Sequence, residues 1–78
     1  MKKWIIKGIR PDKTEFYISK HGNILSTNEQ IWSDEAFTLK VSAQKRAYKY
    51  KKLSWVDKLL LTNCEGCHFK VCSVDCIV

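Results

Sequence analysis

Four cysteines stand in the last fifteen residues of the chain, at Cys64, Cys67, Cys72 and Cys76. They are the residues whose type and spacing bear most directly on chemistry. Thiolates hold zinc in a tetrahedron at about 2.3 Å, and four of them complete a structural site. The two-residue gap between Cys64 and Cys67 lets both sulfurs of one tight turn face the same ion. Gly66 inside that gap has no Cβ to clash with the turn. Cys72 and Cys76 are four apart, which puts them on one face if that stretch forms a helical turn. The spacing therefore predicts a structural zinc site built from Cys64, Cys67, Cys72 and Cys76, with His68 as a minor substitute ligand. Two disulfides are the main alternative, and four cysteines allow three pairings. An iron–sulfur centre, a redox pair at Cys64 and Cys67, and partly buried free thiols complete the set.

The segment "CEGCHFKVCSVDC" resembles the zinc knuckle of retroviral nucleocapsid proteins. Cys64, Cys67 and Cys72 match its first three ligand positions, Cys72 standing where the family has histidine. Cys76 comes one residue early. The resemblance implies a compact metal-bound knuckle and, through its family, contact with nucleic acid. Lys70 is the sole base inside the segment, beside Glu65 and Asp75, and the likeness covers a small part of the chain.

A second cluster lies from Lys40 to Lys52, with five lysines, one arginine and no acid. Acidic residues are absent between Glu35 and Asp57. Lys45, Arg46, Tyr48, Lys49 and Lys52 are the candidate contacts to a partner. The lysines and Arg46 suit phosphates or an acidic protein surface, and Tyr48 suits stacking or anchoring. A solvated helix face is the competing explanation for the same charges.

The elements that must position these groups follow from local pattern. "WIIKGI" and "EFYIS" read as a β-hairpin joined by the turn "RPDKT", in which Pro11 pre-sets φ and Asp12 bonds to nearby backbone. "KHGN" is a second turn, leading to a short strand at "ILS". A brief strand is expected around Gln30 to Trp32. "AFTLKV" alternates imperfectly and is expected to be a further strand. Ser42 is the expected cap of a helix starting at Ala43, with Ala43, Ala47 and Tyr50 on its buried stripe. "LSWVDKLLLTN" fits either a helix capped by Ser54, with Val56, Leu59 and Leu60 as its buried stripe, or a sheet-closing strand; helix is preferred. The three tryptophans, Trp4, Trp32 and Trp55, are expected in the core by default.

The totals set limits. The chain has 78 residues, fourteen Lys and Arg against eight Asp and Glu, and a formal net charge of +6. So short a chain buries about 60 to 65 percent of its unfolded surface, and a staple near one end would matter. Its opening residues resemble a signal peptide but lack a long apolar core, and no run suits a membrane span. A cytoplasmic location is expected, where clustered cysteines favour metal over disulfides. No phosphate loop, dinucleotide fingerprint or metalloprotease motif is present, and the carboxylates are scattered. No catalysis and no small-molecule substrate are expected.

The expected fold is α+β: a small antiparallel sheet on one or two helices, with a C-terminal zinc knuckle. Residues 1–62 would form the basic domain, and 63–78 a cysteine-rich zinc-binding tail packed on it. The expected function is binding, as a small regulator or inhibitor acting through contact with another protein of acidic surface, with structural zinc as cofactor. Nucleic-acid binding through the helix at 42–52 is the first alternative, and thiol redox chemistry the second.

Overall fold

A computed structural model describes residues 2–63 and 66–77 of the chain. The fold is a small α+β domain. Its strands are β1 (Lys2–Ile9), β2 (Glu15–Ile18), β3 (Ile24–Ser26), β4 (Ile31–Trp32) and β5 (His68–Ile77). Its helices are α1 (Lys40–Lys51) and α2 (Trp55–Thr62), with a 3-10 turn at Ser33–Glu35. The strands form one sheet in the order β3-β2-β1-β5-β4. All neighbours are antiparallel except β4 and β5, which run parallel.

The hairpin forms as its residues predict. Ile6 pairs with Ile18 and Gly8 with Phe16. In the connecting turn, the Thr14 N–H and hydroxyl both donate to Asp12 Oδ1, at 3.0 and 2.6 Å. These bonds hold the Asp12 carboxyl below the usual carboxylate range. Lys13 takes a left-handed φ of 72° to close the turn. In the next turn the Ser19 hydroxyl accepts from the N–H groups of His21 and Asn23, and Gly22 adopts φ 89°. Glycine fits there because a Cβ would oppose that conformation.

Gly8 allows a close approach within the sheet. The Phe16 ring lies across it, in the space a Cβ would occupy. The Arg10 guanidinium covers that ring from outside, 4.5 Å from its centroid. Even-numbered residues of β1 thus face α1, and odd-numbered ones face the other side. The α1 side holds Ile6, Phe16, Ile18, Phe37, Ala43, Ala47, Tyr50, Cys67 and Phe69. The opposite side holds Ile5, Ile31, Ala36 and Cys76, packed by Tyr17, Leu25, Cys72 and Val74.

The stretch 36–41 is not the strand its alternation predicts. Phe37 alone pairs with Trp4, through a bond in each direction at 2.9 and 2.7 Å. The chain then turns into α1, which starts at Lys40 rather than Ala43 and has Leu39 as its N-cap without a side-chain bond. Leu39 and Val41 remain exposed. The expected stripe of Ala43, Ala47 and Tyr50 is buried, and the Tyr50 ring sits 5.9 Å from that of Phe69.

The ambiguous segment is helical. The Ser54 hydroxyl accepts from the Asp57 N–H at 3.2 Å, and Asn63 ends α2 in the left-handed conformation. Its stripe is not buried as expected: Val56, Leu59 and Leu60 are exposed, and so are Trp55 and Trp32. Leu53, Leu61 and Thr62 are the residues that tie this region to the core.

The C-terminal segment corrects the expected fold most. Residues 68–77 form the longest strand of the sheet, paired with β1 along its full length from Lys2↔Asp75 to Ile9↔His68. A central strand occupies the place of the expected zinc knuckle.

Candidate basic groove between helix and strand edge

The extended backbone of β5 separates the expected zinc ligands. Cys72 and Cys76 share a face, but four residues of strand place them about 13 Å apart. That is several times the reach of one tetrahedral ion. Cys67 sits in the core cluster on the opposite, α1-facing side of the sheet. Cys64 lies outside the described residues. Among the described residues, no group of three or more His, Cys, Asp or Glu side chains is placed to hold a metal. The geometry thus contradicts the expected structural zinc and the function that includes it.

The redox pair expected at Cys64 and Cys67 lies in part outside the described residues. Cys67 and Cys76 are buried as small apolar groups. Burial pushes the Cys72 thiol up, against a smaller opposing pull from Lys7 and Lys70. A reactive thiolate needs the reverse shift.

The basic residues divide among three sides of α1. Arg46 is engaged: its Nη1 donates to the Lys20 carbonyl at 3.2 Å and to the Tyr50 hydroxyl at 3.5 Å, and its guanidinium lies 5.8 Å from the Phe37 centroid. It is held as a structural clamp between α1 and the end of β2, and is not presented as a base reader. Lys45, Lys49 and Lys52 fall on the outward side, opposite the buried stripe. Lys52 lies over the exposed Tyr48 ring at 4.4 Å.

The third side of α1 borders a groove of about 460 Å³ against β5, with Lys40, Tyr48, Lys51, Lys70 and Val71 in its wall. Gln44 and Ala47 are also in the lining, which holds no carboxylate among the described residues. Tyr48 is among the contacts expected from the sequence, and Lys40 and Lys51 lie in the same basic stretch but outside that set. The i, i+4, i+8, i+11 spacing of Lys40, Gln44, Tyr48 and Lys51 marks their common face. Lys70 borders the groove from β5, but its side chain leaves the opposite face of the sheet, with Lys7 and Cys72.

Lys40 stands in the first turn of α1, which contains no acid. A positive charge is disfavoured at that end by the helix dipole. Its ammonium lies 5.0 Å from the centroid of Trp4, on the strand beside β5. A second cavity, of about 520 Å³, lies against the other face of the sheet, near Tyr17 and Ile31. Glu29 and Asp75 in its lining give it a different charge character.

His21 sits in the β2–β3 turn and His68 at the start of β5, both exposed. No helix among the described residues is long and apolar enough to cross a membrane. Comparison of the chain with family models, curated proteins and solved structures finds no match.

Proposed function

We propose that the chain is a binding module that takes an acidic segment of another protein in the groove between α1 and β5. The observation that carries this reading is the pair Lys40 and Lys51 on a concave surface with no carboxylate among the described residues of its lining. Charge of one sign in a groove raises the local concentration of an oppositely charged partner and steers its approach. Ala47, Val71 and the Tyr48 ring add an apolar floor and wall, which suits a peptide chain carrying both carboxylates and carbon. Nucleic acid is less well served, because Arg46, the one guanidinium of α1, is already bonded to Lys20 and Tyr50.

The test is a titration with a fluorescein-labelled peptide of alternating Glu and Thr, run beside a single-stranded DNA of matched charge at the same salt. The peptide should bind more tightly. Combined Lys40→Glu and Lys51→Glu changes should weaken it by about tenfold or more. Lys45→Glu with Lys49→Glu, on the outward side, should change it by less than about threefold. Tighter binding of the DNA, or equal sensitivity to the outward pair, would contradict the proposal.

A further inference from the structure

One wall of the groove is the open edge of β5 at Lys70 and Val71, which continues to Ser73 at the rim of the second cavity. Strand β4 pairs with β5 only at Cys76 and Ile77. On that side, residues 70–74 have no strand partner among the described residues.

The direction of their backbone groups follows from the ladder. Trp4 exchanges both of its backbone bonds with Phe37, on the side of β1 away from β5. Its pairing with Ser73 is therefore a non-hydrogen-bonded one. The Ser73 N–H and C=O must then point away from β1, towards the open edge. Hydrogen-bonded and non-hydrogen-bonded pairs alternate in an antiparallel ladder, so Val71, opposite Ile6, also points outward. Cys72, opposite Ile5, points inward.

Helix α1 runs alongside this edge. Lys40, at its start, lies over Trp4, the partner of Ser73. Tyr50, near its end, packs on Phe69. The helix is thus antiparallel to β5 and flanks the strand from Ser73 down to Phe69. An unpaired strand edge beside a helix is a receptor for an extended chain, in which main-chain bonds supply affinity and alternate side chains meet the walls.

We propose that the acidic segment binds by strand addition, extending the sheet at Val71 and Ser73 while its carboxylates, on the α1 side, meet Lys40 and Lys51. This rests on the acidic-partner reading and names its mode of recognition. An edge lysine such as Lys70 also keeps a strand from pairing with copies of itself. A second copy of this chain would bring the same lysines against one another, on a molecule of formal net charge +6. The charge of the groove favours an acidic occupant over a copy.

The test uses the alternating Glu and Thr peptide and a version N-methylated at every second residue, which keeps the charges but cannot form a ladder on one edge. Two N-methylated registers are compared, because one leaves its donors towards β5 intact. Amide hydrogen exchange at Val71 and Ser73 should slow by about tenfold or more when the parent peptide saturates the protein, with Cys72 little changed. One N-methylated register should bind about tenfold more weakly than the other. Ser73→Pro, which removes an outward donor at an exposed edge position, should weaken binding about fivefold with the fold retained by circular dichroism. If the peptide binds with the expected lysine dependence but Val71 and Ser73 exchange as before and both registers bind equally, strand addition is wrong and the groove reading stands. If the peptide does not bind, both are wrong. Protection of these amides that rises with protein concentration alone would assign the edge to a second copy and overturn the proposal.

Discussion

Cys72 and Cys76 leave the same face of β5 about 13 Å apart, on the backbone of a strand rather than a helical turn. With Cys67 on the other side of the sheet, they pack as parts of two separate apolar clusters. Stability should therefore be independent of divalent metal. A strong zinc chelator should leave the thermal midpoint unchanged, whereas a fall of about 5 °C or more would signal a metal contribution on the order of 1 kcal/mol.

The Cys72 thiol should titrate above an ordinary cysteine, because burial outweighs the pull of Lys7 and Lys70. A raised folded-state value means the protonated thiol is favoured in the fold. Its stabilising contribution is complete below the ordinary thiol pKa and is lost as pH rises through the raised one. The rate of iodoacetamide alkylation at Cys72, followed by peptide mass mapping across pH, should show a midpoint above that of free cysteine. A midpoint below it would contradict the burial described.

Gly8 should not tolerate even a methyl group. The Phe16 ring fills that space and is itself almost fully buried, so Gly8→Ala must displace it. A loss of about 1–3 kcal/mol is expected from urea unfolding. A neutral result would mean that the ring relocates without cost.

The exposed stripe of α2 makes the opposite prediction. Leu60 is 79 % exposed, so Leu60→Lys should change stability by less than about 0.5 kcal/mol. A loss above about 2 kcal/mol would place Leu60 in the core.

What was legible in the sequence was local. The 2–9 and 15–18 hairpin, the Asp12 turn, the Ala43, Ala47 and Tyr50 stripe and the Ser54 cap each depend on neighbours within a few residues. In the cysteine segment, metal-ligand spacing masks a strand signal carried by the same residues. Phe69, Val71 and Ser73 alternate with His68, Lys70 and Cys72, and Val71, Val74 and Ile77 are β-branched. The stretch 36–41 failed for a different reason. Its alternation is real, but Phe37 alone meets the open side of β1 before α1 begins. An apolar stripe such as that of α2 says what a helix can cover, not that a surface is there to be covered. Of the proposed site, Tyr48 was legible and its neighbour Val71 was not, because they meet only when β5 is laid beside α1.

The most direct test is a map of the acidic Glu and Thr peptide on uniformly nitrogen-15-labelled protein by backbone amide shifts. The groove account predicts the largest changes along the Lys40, Gln44, Tyr48 and Lys51 side of α1 and at Lys70, Val71 and Ser73 of β5. Changes confined to Lys45, Lys49 and Lys52, or to the Tyr17 and Glu29 side of the sheet, would contradict it.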